Sequence, residues 1–404
     1  LDAKIDRLLA AVVDGRTTNV RYRQNELHRL YAGLKVEKEA VCDAIMRSSA
    51  VSTSEALQEY SLALDSIRQS YETLDFENSM KEEYLVATGR NNLFRRVGLG
   101  LIAIRAQEHS RVYSVIGPLA AAIAAGNCVL WEMGSALSPI TTILSRILAD
   151  SLDQDAFYAT PGRITEAQES QVNLLVDQTC SSLNKVPSLS SMTELRSIVV
   201  VDRTTDVRLA SKAIVGACLF SNGTSPYAPR IVLVNEFLCQ SLIATCIEDA
   251  KSLKEMTNSN QKLELVKHDG SASSLTTQRI NGQRIVILPT TSLVSCVSSL
   301  CSKEAYLATY IFADAKTAKF IGEQVTSSVT YINQIPTWLL FGPPSPTMHP
   351  HHLHPRYTPD MFSQPRTLII EPVDEISLSI QDLKPTGQKP GHAVGFFEQG
   401  ILLG

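Results

Sequence analysis

The chain has 404 residues, of which 44% are hydrophobic and 19% are charged, and its net charge at pH 7 is −4. This length allows two or three domains with sizeable cores, and the composition is that of a soluble globular protein. The slight negative charge does not favour a nucleic-acid-binding surface, and no apolar run approaches the roughly 18 residues of a membrane-spanning helix.

Eight cysteines are scattered along the chain without CxxC spacing. In a chain of this size the pattern predicts reduced, mostly buried thiols and a cytoplasmic protein. No targeting signal with a charged segment followed by an apolar one is visible. A metal site is not expected, because the spacing rules for zinc ligands are not met.

The first 82 residues are predicted to be mainly helical. Apolar residues at positions 5, 8, 9 and 12 recur at helical spacing. Ser52 and Glu55 have the spacing of a capping box, and the apolar stripe after them predicts a helix that packs on a sheet. The pattern then changes at residues 83–97, where two short apolar runs around Thr88-Gly89 predict a β-hairpin.

From residue 98 onward, short apolar runs alternate with helical segments. The strand-like runs cover residues 99–104, 128–131, 172–176, 198–201, 231–234, 285–288, 310–312, 329–332 and 368–370. One helix is predicted to open at Gly117-Pro118 and another at Ser138-Pro139, with serine as the N-cap and proline as the first helical residue. This alternation predicts an α/β fold with two mostly parallel, doubly wound sheets.

Residues 220–230 read Phe-Ser-Asn-Gly-Thr-Ser-Pro-Tyr-Ala-Pro-Arg. The segment resembles the nucleophile loop of the aldehyde dehydrogenase superfamily, which reads roughly Gly-Gln-Thr-Cys-x-Ala-Pro. When Gly223 and Ala228-Pro229 are matched, the catalytic cysteine of the family falls on Pro226. Proline has no nucleophile and no main-chain N–H, so it can neither attack an aldehyde nor donate to an oxyanion hole. The resemblance therefore implies a dehydrogenase scaffold without its usual chemistry.

Further stretches resemble the family in the same order. They are residues 123–130, 135–139, 198–206, 307–312, 329–333 and 357–366. The last one is similar to the C-terminal Tyr-x-x-x-x-Phe-Ser-x-x-Arg of the dimeric, fatty-aldehyde-like branch. This order implies an aldehyde-dehydrogenase-like fold with two doubly wound parallel-sheet domains and a β-hairpin oligomerisation element, assembled as a homodimer.

The resemblance also implies a division of the chain. A former cofactor-binding domain covers residues 1–82 and 98–196, and a former catalytic domain covers residues 197–366. Residues 83–97 and 367–373 supply the oligomerisation hairpin and strand. Residues 374–404 are expected to form a C-terminal tail.

The residues that hold NAD(P) in the family are replaced here. Trp131 and Glu132 stand where the family has a ribose-binding lysine, and a carboxylate there repels a phosphate. The glycine-rich phosphate turn corresponds to residues 180–185, which contain no glycine. The general-base segment appears only near Glu194, and the segment that holds the nicotinamide ribose is missing before Gln283. We therefore expect no cofactor and no hydride transfer.

Four residues near the loop are candidates for other chemistry. Ser225 precedes the cysteine position by one residue, and His109 falls in the region of the family's oxyanion-hole asparagine. A Ser–His pair needs hydrogen-bond distance and an orienting group such as Glu108, and Tyr227 adds a hydroxyl. The alternative is that Ser225 is a turn residue and His109 a cleft or surface residue.

The interdomain cavity of the scaffold is expected to persist, lined by Asn222, Thr224, Trp338 and Phe341. Trp131 either turns into the old cofactor groove as a cavity residue or is part of the sheet core. Half of the eight histidines lie in one proline-rich loop, at His349, His351, His352 and His354. This loop is expected near the cavity entrance without a metal, because no cysteine or closely spaced carboxylate joins the imidazoles.

Three functions remain open from the sequence. The first is an aldehyde-dehydrogenase-like protein that binds an apolar small molecule in the interdomain cavity, as a non-redox catalyst of cyclisation or isomerisation type or as a binding protein. The second is a structural or regulatory pseudoenzyme that acts through dimerisation. The third is an NAD(P)-dependent aldehyde oxidoreductase with an unusual site.

Overall fold

The computed structural model describes residues 1–134, 138–179, 186–257, 263–268, 283–300, 305–346, 356–370 and 401. Within these residues the chain forms two all-parallel sheets. A short antiparallel ribbon joins β1 (Arg96–Gly98) to β13 (Ser363–Pro365). The predicted α/β architecture with two parallel-sheet domains is confirmed.

Five helices precede the first sheet. They are α1 (Asp2–Val13), α2 (Val20–Val36), α3 (Lys38–Ser49), α4 (Thr53–Glu72) and α5 (Phe76–Tyr84). The capping box at the start of α4 is confirmed, because Ser52 Oγ accepts from Glu55 N and Glu55 Oε2 accepts from Ser52 N. These two bonds satisfy N–H groups that have no partner inside the helix, and they fix where α4 begins.

The first sheet has the strand order β4-β3-β2-β5-β6. Its strands are β2 (Leu101–Arg105), β3 (Cys128–Glu132), β4 (Phe157–Thr160), β5 (Leu174–Asp177) and β6 (Ser188–Ser190). The order reverses at β2, because β3 and β4 extend to one side while β5 and β6 extend to the other. Doubly wound sheets bind their ligands at the carboxyl ends of the strands beside such a reversal.

Helices cover both faces of this sheet. The connecting helices are α6 (Arg111–Ala125), α7 (Pro139–Ser151) and α8 (Glu166–Glu169). Alternate side chains of a strand point to opposite faces. Trp131 on β3 therefore packs in the core shared with α6 and α7, whereas its neighbour Leu130 packs in the core shared with α1. Ser138 caps α7 and Pro139 is its first residue, as predicted.

Helix α6 begins earlier than the sequence predicts. It starts at Arg111, and Pro118 lies inside it. A proline leaves the carbonyl four residues before it without a helical partner. Here Gln178 Nε2 donates to the Ser114 carbonyl at 2.9 Å. This bond from the end of β5 compensates for the proline, so the prediction of a helix start at Gly117-Pro118 is wrong.

The second sheet has the strand order β12-β11-β7-β8-β10-β9. Its strands are β7 (Ser197–Val201), β8 (Ile231–Asn235), β9 (Glu264–Lys267), β10 (Arg284–Thr290), β11 (Ala308–Phe312) and β12 (Thr330–Ile332). The flanking helices are α9 (Val207–Leu219), α10 (Glu236–Thr257), α11 (Leu293–Leu300) and α12 (Ala315–Gln324). Two apolar clusters bury the side chains of its strands, so this sheet has its own core.

Residues 83–97 do not form the predicted hairpin. Helix α5 continues to Tyr84, a 3-10 turn spans Val86–Thr88, and Asn92 pairs with Leu368 in an isolated bridge. Strand β1 then finds its partner in β13, near the other end of the described chain. A local sequence pattern does not reveal such a distant partner, which is why the hairpin prediction is wrong.

Candidate functional site

The loop between α9 and β8 has a strained main chain. Ser221, Asn222 and Gly223 have φ angles of 47°, 55° and 70°, in the left-handed region that favours glycine. Glu55 Oε1 accepts from Ser221 N at 2.9 Å, and Asn222 Nδ2 donates to the Ser49 carbonyl at 2.9 Å. The glutamate that caps α4 therefore also holds the nucleophile-like loop.

Ser225 and His109 meet at one carbonyl oxygen. Ser225 Oγ donates to the Leu340 carbonyl at 2.7 Å, and His109 Nε2 lies 2.8 Å from the same oxygen. A carbonyl oxygen only accepts hydrogen bonds, so the imidazole carries a proton on Nε2. His109 Nδ1 lies 2.9 Å from Thr224 Oγ1. The structure brings the two predicted residues together, but as two donors to a third group and not as nucleophile and base.

The imidazole of His109 is neutral at pH 7. Burial lowers its pKa to about 4, although the bond to the Leu340 carbonyl acts in the opposite direction. Because the proton is on Nε2, the free lone pair is on Nδ1, which faces Thr224 and not Ser225. In this arrangement His109 does not accept a proton from Ser225.

The two predicted carboxylates do not orient this pair. The Glu108 side chain is 75% exposed and forms an ion pair with Arg111 at 3.2 Å. Its expected role as the third member of a Ser–His arrangement is therefore wrong, since its carboxylate bonds to a guanidinium instead of the imidazole. Glu194 lies exposed in the turn that joins β6 to β7.

Pro226 and Tyr227, in the second half of the loop, contact neighbouring segments of the chain. The Pro226 carbonyl accepts from Ser197 Oγ at 3.3 Å. Tyr227 is fully buried, and its hydroxyl accepts from Ser345 N at 3.1 Å. The guanidinium of Arg356 lies 4.7 Å from the centre of the Tyr227 ring, within the range of a cation–π contact. These contacts make the Tyr227 hydroxyl an acceptor for the main chain.

Carbonyl groups of residues 339–344 accept hydrogen bonds from the loop and from side chains outside it. Besides the Leu340 carbonyl, Arg356 Nη2 donates to the Leu339 carbonyl at 2.6 Å and Ser191 Oγ donates to the Pro344 carbonyl at 2.7 Å. Sequence reasoning missed Arg356 and the carbonyl groups of this segment, because main-chain acceptors carry no sequence pattern. An arginine in a proline- and histidine-rich stretch was the available signal.

An open groove lies beside this segment, between α4 and residues 337–341. Its lining side chains are Ser54, Leu57, Gln58, Ser61, Leu62, Asp65, Thr337, Trp338 and Phe341. Phe341 is buried and meets Phe220 edge to face, with ring centres 4.6 Å apart. Trp338 and Phe341 therefore line this groove. Trp131 does not, because the alternation of β3 turns its side chain into the core, and that assignment is wrong.

A buried ion network lies at the carboxyl edge of the first sheet. Arg105, the last residue of β2, stands in register with Glu132 on β3 and Asp177 on β5. Its guanidinium lies 2.7 Å from Glu132, 2.7 Å from Glu169 and 3.7 Å from Asp177. Burial alone lowers the pKa of Arg105, but the bonds with Glu132 and Glu169 raise it overall. One guanidinium thus faces three carboxylates where the strand order reverses.

The family model for the Aldehyde dehydrogenase family matches residues 2–266, which is more than half of the chain. The chain belongs to the aldehyde dehydrogenase family. It is 29% identical over 163 residues to aldehyde dehydrogenase family 3 member B1 from Bos taurus, covering 39% of this chain and 34% of that protein. It is 24% identical over 264 residues to 4,4'-diaponeurosporen-aldehyde dehydrogenase from Staphylococcus aureus, covering 61% and 56%.

These matches span about a third to a half of the length of the curated relatives. Solved structures of the family resemble the whole fold. The substrate-bound state of Staphylococcus aureus AldH has a TM-score of 0.71 at 16% identity, with 100% of this chain and 98% of that chain covered. Aldehyde dehydrogenase KauB from Pseudomonas aeruginosa has a TM-score of 0.71 at 14% identity, with 91% and 88% covered. At such low identity these likenesses establish the fold alone.

Membership of the aldehyde dehydrogenase family implies NAD(P), but the carboxyl edge of the first sheet does not suit this cofactor. The Glu132 and Asp177 carboxylates lie at the strand-order reversal, where a doubly wound sheet holds a dinucleotide. Negative charge there repels a pyrophosphate, and Arg105 already bonds to these carboxylates. The predicted change in the phosphate turn, at residues 180–185, lies outside the described residues.

The described residues of this aldehyde dehydrogenase family protein contain no metal site formed by cysteine or histidine side chains. No group of three or more His, Cys, Asp or Glu side chains there is arranged to hold a metal ion. The buried cysteine thiols of the described residues are Cys42, Cys128, Cys218, Cys239, Cys246 and Cys296. The loop from His349 to His354 lies outside the described residues. No helix in the described ranges is long and apolar enough to span a membrane.

Proposed function

We propose that this aldehyde dehydrogenase family protein does not oxidise aldehydes with NAD(P) and instead binds an apolar small molecule beside the loop of residues 220–230. It acts there as a non-redox catalyst or as a binding protein. The observation that carries the proposal is the donation of Ser225 and His109 to the Leu340 carbonyl, next to Pro226 at the family's cysteine position. In this arrangement the Ser225 hydroxyl is bonded to a carbonyl, and Pro226 has no nucleophilic group.

The ion network at the first sheet supports the loss of the cofactor. Glu132 replaces a lysine of the family pattern, and its carboxylate also accepts from Ile164 N at 3.2 Å. Turning Glu132 aside to admit a phosphate would break this bond and the bond with Arg105. Leaving a buried charge without its partner costs about 3–5 kcal/mol.

The groove beside α4 supports an apolar ligand. Leu57, Leu62, Trp338 and Phe341 supply apolar and aromatic surface, and the serines and Asp65 of α4 form a polar rim. Small-molecule sites commonly combine apolar walls with a few polar groups that orient the ligand. The groove adjoins the 339–344 segment that covers Ser225, so a ligand in it lies next to the loop.

Two binding measurements test this function. Isothermal titration with NAD⁺ and NADP⁺ is expected to show no saturable heat. Nile red, a neutral apolar dye, is expected to bind and to bind several-fold more weakly to Trp338→Ala, whereas Phe237→Ala, which removes an aromatic ring that is 79% exposed on α10, leaves binding unchanged. Saturable dinucleotide binding together with aldehyde oxidation would overturn the proposal and favour a working dehydrogenase.

A structural role through dimerisation is a second candidate, and one observation favours it. Leu93, Phe94, Leu368, Ile369 and Ile370 are 41–84% exposed around the ribbon of β1 and β13. Contiguous exposed apolar surface commonly marks a protein interface. We propose that a second copy of the chain covers this ribbon, which gives the homodimer that the family branch implies.

A further inference from the structure

We propose that the amino edge of the first sheet carries a binding site for a primary ammonium group. The site is a small cavity between α2 and the starts of β3 and β4. Its polar side chains are Thr17, Tyr22, Glu26, Asn127 and Asp153, and the rest of its wall is apolar. The cavity lies at the opposite edge of the sheet from the Arg105 network and shares no lining residue with the groove beside α4. The inference therefore goes beyond the proposed function.

The cavity has the size of one small chemical group. Its volume is about 10 Å³, which is close to the space that a single water-sized group needs. Three of its residues, Tyr22, Glu26 and Asp153, also line an open surface groove of about 580 Å³. The groove gives access from solvent, so an ammonium group in the cavity has room for its substituent outside.

The polar side chains of the cavity have already used their donors. Thr17 Oγ1 donates to the Gly126 carbonyl at 2.7 Å. The Tyr22 hydroxyl donates to Asp153 Oδ2 at 2.9 Å. Asn127 Nδ2 donates to two main-chain carbonyls at 2.9 and 3.0 Å. What these side chains and the two carboxylates have left are oxygen lone pairs, so a ligand in the cavity meets acceptors and has to supply the donors.

The two carboxylates favour a positive charge on that ligand. The Glu26 side chain is only 4% exposed, and its Oε2 accepts from Asp153 N at 2.9 Å. Arg29 pairs with Glu26 and Arg16 pairs with Asp153, but the two arginine side chains are 54% and 39% exposed, so solvent and salt screen their charges. Burial and the bond to Asp153 raise the pKa of Tyr22, which keeps its hydroxyl neutral.

A primary ammonium group matches the lining in size, hydrogen bonding and charge. It has three N–H donors and a full positive charge. A water molecule has the right size but only two donors and no charge, whereas a tetramethylammonium ion has the charge but no donor. The outer groove adds the side chains of Asn25, His28 and Arg29. We therefore expect the substituent of the amine to be polar and neutral or anionic, because a second cation would meet Arg29.

Isothermal titration of the purified chain with methylammonium chloride, at constant ionic strength, tests this site. We expect saturable binding, and binding at least about tenfold weaker for tetramethylammonium chloride and for KCl. Glu26→Gln removes the buried charge at nearly constant volume and should lower methylammonium affinity about tenfold or more. Glu37→Gln is the matched control, because Glu37 pairs with Arg146 at 3.0 Å outside the cavity, and its affinity should not change.

Three results would overturn the inference. An absence of saturable heat with methylammonium would leave a water molecule as the occupant of the cavity. Binding of KCl as tight as that of methylammonium would indicate a site for a monovalent metal ion. The third result is unchanged methylammonium affinity in a Glu26→Gln variant that is folded by circular dichroism. If that variant does not fold, Thr17→Val takes its place, since it removes one acceptor at constant shape and should lower the affinity about threefold or more.

Discussion

The side chain of Glu59 is a buried carboxylate on α4, one helical turn after Glu55, which bonds to the loop of residues 220–230. Glu59 on α4 accepts from Val112 N at 2.8 Å, at the start of α6. Burial raises its pKa from 4.5 to about 7, although the bonds from Val112 and Tyr113 act in the opposite direction. The sequence showed Glu59 only as a polar position beside an apolar stripe, so its contact with α6 was not predictable.

This shift predicts a pH-dependent stability. A raised pKa means that the folded chain binds the proton more tightly, so the contribution of Glu59 is fully present below about pH 4.5 and is lost as pH rises through about 7. We therefore expect the free energy of unfolding of Glu59→Gln, relative to that of the wild-type chain, to rise from pH 5 to pH 8. Urea unfolding of both proteins at pH 5 and pH 8 measures this difference. Any contribution of His109 is the same in both proteins and cancels in the comparison. A difference that does not change with pH would contradict the assignment.

The ion network predicts a large loss on removal of its cation. Arg105→Met leaves Glu132 and Asp177 buried beside an apolar side chain, and we expect the free energy of unfolding to fall by about 3–5 kcal/mol. Arg68→Met is the matched control, because Arg68 pairs with Asp65 and Glu72 at the surface of α4, where such pairs contribute at most about 1 kcal/mol. Equal losses for the two variants, measured by urea unfolding, would contradict a buried network.

At the scale of elements, the loop of residues 220–230 depends on the N-terminal helices. Asn222→Ala removes the bonds to the Ser49 and Ala50 carbonyls and places alanine at a φ of 55°. We expect a loss of about 1–3 kcal/mol. Asn222→Gly loses the same bonds but tolerates the angle, so its loss should be smaller. Thermal unfolding of both variants ranks them, and a larger loss for glycine would contradict a strained loop.

Elements specified by neighbouring residues were predictable. The capping box of Ser52 and Glu55, the start of α7 at Ser138 and eight of the nine predicted strand-like runs follow from local pattern, and the structure contains them. The run at residues 368–370 was wrong, because it forms only the bridge of Leu368 with Asn92, and β4, β6 and β9 were not predicted. The start of α6 was not predictable, because Gln178 compensates for Pro118 from a distant strand. The supposed hairpin failed for the same reason, since the partner of β1 is β13.

The site was predictable in its parts but not in its arrangement. Sequence comparison named Ser225 and His109 as a candidate pair and Phe341 as a cavity residue, and the structure places the first two on one carbonyl oxygen. The sequence did not show that the Leu340 carbonyl is the group between them or that Arg356 supports the segment. Contacts to main-chain carbonyls depend on the path of the chain through space, which residue types alone do not specify.

At the scale of the whole molecule, the ribbon of β1 and β13 predicts a dimer. We expect the wild-type chain to have twice its mass of 44.2 kDa by light scattering after size-exclusion chromatography. Phe94→Asp with Ile369→Asp places two charges on the exposed apolar surface and should give the monomer mass. Phe237→Asp on α10 is the control and should remain dimeric. A wild-type monomer would contradict the proposed interface.

For the whole molecule, we propose that the fold of an aldehyde dehydrogenase is present without the usual chemistry of one. The most direct measurement is the absorbance at 340 nm of the purified chain mixed with decanal and either NAD⁺ or NADP⁺. We expect no NAD(P)H above the protein-free control. Formation of NAD(P)H in proportion to protein concentration, abolished by a thiol-blocking reagent, would contradict the claim.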